Sequence, residues 1–205
     1  MKLPIQLLTL FCALFAMAGI VHSQSLSMGF EAGTGISYIG EATAESAVHD
    51  FNPSMVVGTH IKFTPKDCYF GVRLNLMNVS TLYTTKKEAT WYSGRGQINT
   101  LTTSLMLEHL NTGKKFSIGY YFGMGMTREN YINEDWYEGK RGVSNYMSVS
   151  GGGLITYGLG DKSRLMLTPS FFWTDPLNTF REAHWVQAGE DIAFIFQLGY
   201  SYKLQ

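Results

Sequence analysis

The chain has 205 residues, 16 basic against 16 acidic side chains, and charged residues at only 16% of the total. That length fits one domain, and a charge balance of zero with no basic patch argues against a nucleic-acid partner. Tyr, Phe and Gly are abundant instead: 12, 13 and 22 residues.

Residues 1–23 have the pattern of a secretory signal, with Lys2, an apolar run from Leu7 to Val21, and Val21-His22-Ser23 before a cut expected near Gln24. The run is shorter than the roughly 18 residues a spanning helix needs. Residues 24–205 then form the expected domain. Of the two cysteines, Cys12 leaves with the signal and Cys68 remains alone, so no internal disulfide forms. A lone thiol of this kind usually acts as a small apolar side chain.

From residue 26 onward, apolar and small or polar residues alternate with a period of two, the mark of a two-faced β-strand. The first strand, Leu26–Ile39, sets Met28, Phe30, Ile36 and Tyr38 against Gly29, Glu31, Gly33 and Gly35. A polar loop is expected over Glu41–Asn52. The second strand, Ser54–Phe63, sets Met55, Val57 and Ile61 against Gly58, His60 and Lys62, and the turn Thr64-Pro-Lys-Asp67 follows. The third, Cys68–Val79, sets Cys68, Phe70, Val72, Leu74 and Leu76 against Gly71, Arg73 and Asn75. Ser80–Gly96 is expected as a long loop.

The fourth strand, Gln97–Leu110, alternates less cleanly, with Leu101, Leu105 and Leu107 opposing Thr102, Ser104 and Glu108. After a short turn at Asn111–Lys115, the fifth, Phe116–Thr127, is the clearest: Phe116, Ile118, Tyr120, Phe122, Met124 and Met126 against Ser117, Gly119, Tyr121, Gly123 and Gly125. Arg128–Gly142 is another expected long loop. The sixth strand is Val143–Tyr157, the turn Gly158–Ser163, the seventh strand Arg164–Thr174, the long loop Asp175–Glu190, and the eighth strand Ile192–Leu204. In that last strand Phe194, Phe196, Leu198, Tyr200, Tyr202 and Leu204 share one face. Connections alternate between long and short throughout.

Three features put the apolar faces outward, toward lipid. The opposite faces are built from Gly, Ser and Thr, as the narrow lumen of an eight-stranded barrel requires. The apolar faces carry no Lys, Arg, Asp or Glu, each of which is costly there. Aromatic residues gather at strand ends: Tyr38 and Trp173 at the long-loop side, and Phe63, Phe116, Tyr157, Tyr200 and Tyr202 at the short-turn side. Backbone groups in hydrocarbon must all be paired, so such a sheet closes. The expected fold is all-β, a closed eight-stranded antiparallel up-and-down transmembrane β-barrel with both termini at the periplasmic, short-turn side. Pro169, which cannot donate to a ladder, predicts a bulge or one missing bond. Gly151-Gly152-Gly153 is expected to relieve packing beside large lumen residues such as Tyr121 or Phe172.

On this strand grammar and loop alternation, across the whole segment after the signal, the sequence resembles the small eight-stranded outer-membrane barrels of the OmpA-transmembrane and OmpX-like type. The resemblance implies a bacterial outer-membrane location, with lipid and lipopolysaccharide as surroundings. Some barrels of this kind modify lipid A as acyltransferases or deacylases, which is the rival functional class. No His-x-Ser arrangement lies on a strand here, and His60 is expected to be a hydrogen-bonded lumen filler. No catalytic residue, cofactor or metal site is expected. The Gly33-x-Gly35 and Gly123-x-Gly125 pairs have no following helix and are not phosphate loops.

Two residue groups remain. Glu31 and Arg73, both inward and mid-strand, are expected to pair across the lumen, with Lys62, Glu108, Arg164 and Lys203 forming a second cluster near the periplasmic mouth. These ion pairs either fill the lumen or, if they exchange, gate it. The long loops carry aromatic and cationic residues together: Trp91, Tyr92 and Arg95; Tyr131, Trp136 and Tyr137; Arg181 and Trp185. Such sets suit an external protein or glycan ligand, or lipopolysaccharide phosphates. They equally suit packing of the loops onto the barrel rim. The expected role is therefore structural or adhesive, with a lipid A-modifying enzyme or an accessory barrel of a secretion machine as alternatives.

Overall fold

The structure is a computed structural model that describes residues 25–38, 47–51, 53–65, 68–87, 92–111, 115–133, 141–174, 176 and 191–204. The expected signal segment and Gln24 lie outside these residues. The strands are β1 (Ser25–Tyr38), β2 (Ala47–Phe51), β3 (Ser54–Thr64), β4 (Phe70–Lys87), β5 (Tyr92–Asn111), β6 (Phe116–Asn133), β7 (Arg141–Gly158), β8 (Ser163–Thr174) and β9 (Asp191–Lys203). Every pairing is antiparallel, and β1 pairs with both β3 and β9, from Ser27↔Lys203 to Tyr38↔Ile192. The first and last staves therefore close an eight-stranded barrel, which leaves no sheet edge in the barrel wall.

The outward face is apolar. Phe122 is 54% exposed, Phe194 59% and Leu198 70%, which is the reverse of a water-soluble core. On β6 six successive outward residues, Phe116 to Met126, are large and apolar. They cover about 34 Å of strand at ~3.4 Å per residue, which a tilt of about 45° reduces to about 24 Å. That matches the apolar belt of a membrane-spanning barrel. Inward positions are buried and small or polar, for example Ser104, Ser148, Ser150 and Thr168.

Three expectations need correction. The loop expected over Glu41–Asn52 contains a ninth strand, β2, which pairs with the far end of β4 from Phe51↔Tyr83 to Ala47↔Lys87. Between Phe51↔Tyr83 and Met55↔Ser80 the register slips by one residue, so a bulge lies beside Pro53. The long loops expected over Ser80–Gly96 and Arg128–Gly142 are mostly strand, paired from Ser80↔Asn99 to Lys87↔Tyr92 and from Arg128↔Asn145 to Ile132↔Arg141. Outward residues turn polar at one rung, Asn78, Arg128 and Asn145, with Leu101 between them. Beyond it the paired sheet continues past the belt, with Thr81, Ile98 and Glu129 still buried on the inner face.

Third, Cys68 is not the lipid-facing start of a strand; it is exposed in the connection before β4. At Pro169, where a bulge or one missing bond is expected, the ladder shows a gap without a bulge. The β7–β8 ladder runs to Gly152↔Ser170, skips two positions, and resumes at Ile155↔Leu167 in the same register. The neighbouring glycines divide their work. An added Cβ at Gly151 would meet the lipid-facing Phe171 ring at 2.8 Å, whereas one at Gly152 would meet Pro169 O at 2.3 Å. Gly152 pairs with the lumen residue Tyr121, but Gly151 makes room on the outer face instead.

Candidate functional site

The lumen holds a buried ionic network built from four strands. Glu31 on β1, His60 on β3, Arg73 on β4 and Glu108 on β5 all fall on inward parity, and each is at most 3% exposed. Arg73 Nη2 donates to Glu31 Oε1 and lies 3.4 Å from Asn75 Oδ1. Arg73 Nη1 lies 3.7 Å from Glu108 Oε2, and Lys62 Nζ donates to Glu108 Oε1. His60 Nδ1 is 2.9 Å from Glu31 Oε1. The Arg73 guanidinium also sits 5.8 Å from the centroid of the Tyr121 ring. Two carboxylates thus meet two cations, the arrangement that makes buried charge tolerable.

Toward the long-loop end the lumen changes character. Val56, Met77, Val79, Phe172 and Ile195 form an apolar cluster. Beside this cluster, hydroxyls are bonded across strands, with Thr102 to Thr127 at 2.8 Å, Thr127 to Ser148 at 3.0 Å and Ser54 to Thr81 at 2.6 Å. Tyr146 Oη donates to Glu129 at 2.5 Å. Ionic, apolar and hydroxyl side chains together fill this lumen, as the narrow interior of an eight-stranded barrel requires.

Of the six lumen residues expected from sequence, Glu31 with Arg73 and Lys62 with Glu108 are brought together. Arg164 and Lys203 are not part of that network; they line a cavity of about 220 Å³ at the short-turn end. Sequence reasoning missed Asn75 and Tyr121 as Arg73 partners, although both share its inward parity. It also placed Glu129 in a loop, where continuing the β6 alternation past Thr127 would have turned it inward.

The expected loop surface is only partly described. Tyr92 and Arg95 lie on β5 and Tyr131 on β6, so they belong to the strand extension and not to loops. Trp91, Trp136, Tyr137, Arg181 and Trp185 lie outside the described residues. On the outer face, His109 is packed by Phe70 and Tyr120 with ring centroids at 5.0 and 5.1 Å, and its Nδ1 lies 3.1 Å from Tyr69 O. Among the described residues no cluster of three metal-ligating side chains occurs.

An all-β closed barrel of eight staves with a lipid-facing belt is the fold of the small bacterial outer-membrane barrels, and the outer membrane is where this surface is satisfied. Solved structures agree on the fold. The neisserial surface protein A is similar over 89% of this chain and 100% of its own, with 8% identity and a TM-score of 0.53. A major outer membrane protein from Thermus thermophilus is similar over the same shares, with 15% identity and a TM-score of 0.55. No protein-family model and no curated protein matches the sequence.

Proposed function

We propose that this chain is a small, non-enzymatic outer-membrane barrel with a structural or adhesive role, and that its long-loop end is the working surface. In this reading residues 1–23 are a signal peptide, the termini are periplasmic and the strand extension faces outward from the cell. The observation that carries it is the paired extension of β2, β4, β5, β6 and β7 past the apolar belt. At roughly 3.3 Å per residue, the stretch from Asn78 to Lys87 rises about 30 Å along the strand. A rigid platform of that size serves recognition, because its ordering cost is met before binding. The filled lumen adds support, since it argues against transport. Tyr92, Arg95 and Tyr131 on the platform, with Trp91, Trp136, Tyr137, Arg181 and Trp185, which lie outside the described residues, form the expected contact set for a protein, a glycan or lipopolysaccharide phosphates.

The test is binding of whole cells to protein and glycan matrices before and after Trp91→Ala, Trp136→Ala and Trp185→Ala. Adhesion should fall at least tenfold in the triple variant at equal surface expression. Unchanged binding would remove the adhesive role and leave the structural one.

A further inference from the structure

The geometry points to a binding site for a small organic anion in the cavity at the short-turn mouth of the lumen. Its cationic wall is assembled from adjacent strands. Ser27 on β1 is paired with Lys62 on β3 on one side and with Lys203 on β9 on the other, and the next strand sets Arg164 opposite Ser201. All three cations sit on inward parity and line the cavity, so they are not anchors for lipid headgroups on the outer face. Lys62 and Lys203 thus flank Ser27, and Arg164 lies diagonal to Lys203, so the three cations share one wall. Glu108 compensates Lys62. Arg164 and Lys203 have no acidic partner among the described residues. With Lys162 and Asp161 also at the rim, the lining keeps a cationic surplus.

A second observation points the same way. Thr156 on β7, 3% exposed, has its Oγ1 without a hydrogen-bond partner and lines the same cavity. A buried hydroxyl without a partner is costly, and a ligand oxygen would satisfy it. The remaining wall includes the apolar cluster Leu110, Leu154 and Met166. His60 and Glu108, both in contact with the Arg73–Glu31 network, also line this cavity. Its volume, about 220 Å³, exceeds the roughly 150 Å³ that suffices for a benzene ring. The fitting ligand is therefore a carboxylate or phosphate on a compact apolar body, with the anionic group against Arg164 and Lys203 and the body toward Leu110 and Leu154. Guanidinium and ammonium donors suit either anionic group.

Isothermal titration of benzoate and phenyl phosphate into the barrel, held in zwitterionic lipid nanodiscs, tests this. Both probes should bind, and Arg164→Gln with Lys203→Gln should weaken binding at least tenfold. Thr156→Val should weaken it several-fold, Arg164→Lys should largely retain it, and Arg128→Gln on the outer surface should leave it unchanged. A β-type circular dichroism spectrum confirms that each variant is folded. Repeating the titration in discs with an anionic phospholipid separates two sources of the group: competition identifies a lipid headgroup as occupant, and no competition a free anion. Absence of binding by either probe, or equal binding by the folded double variant, would overturn the site.

Discussion

Arg73 shows how one side chain can decide whether a lumen is tolerable. It is 2% exposed and faces two carboxylates, an amide and an aromatic ring. Removing it leaves the buried Glu31 carboxyl with only His60 beside it. Arg73→Met should therefore destabilise the barrel by about 3–5 kcal/mol, measured by urea unfolding in lipid vesicles. The double variant Glu31→Gln with Arg73→Met should recover much of that loss, because no isolated charge then remains buried. If the single variant is as stable as the parent, the pair is not needed to hold the lumen together. The Glu31–Arg73 pairing was legible in sequence, because strand parity turned both residues inward near mid-strand. The roles of Asn75 and Tyr121 were not legible, because parity gives a face and not a height in the lumen.

At the scale of the strand, one rule does most of the work: grease outward, small groups inward. It makes the two faces unequal in their response to charge. Phe122→Arg, at the centre of the β6 belt, should cost about 2–4 kcal/mol and lower the yield of inserted protein. Asn130→Arg, outward on the same strand but past the polar rung, should cost little. Comparing the two by unfolding in vesicles tests where the hydrocarbon ends. The same rule explains why strand ends were misread. The period-two signal requires one face in lipid, so it fades at Asn78, Arg128 and Asn145 although the hydrogen-bonded ladder does not. Ala47–Phe51 forms a strand because β4 extends far enough to offer it a partner. Pro169 was recognisable as a defect, but whether the ladder would bulge or skip depended on its neighbours. Gly152 and Gly153 let β7 pass the proline without changing register.

For the molecule as a whole, closure and filling set the behaviour. The β1–β9 ladder removes the open edges that hydrocarbon does not tolerate, and the lumen is filled by ionic, apolar and hydroxyl side chains. The purified barrel should therefore show no steady ion conductance in planar bilayers. Discrete channel openings would instead support exchange of the lumen ion pairs as a gate. Alternation along each strand was enough to determine the all-β class, the eight staves, the direction each side chain faces and the membrane setting, because lipid imposes a different solvent on each face. Only the tertiary structure decided how far the sheet rises beyond the belt, which buried charges meet, and that Arg164 and Lys203 are left facing a cavity. Those outcomes depend on register and tilt between strands distant in sequence, which no single strand's pattern contains.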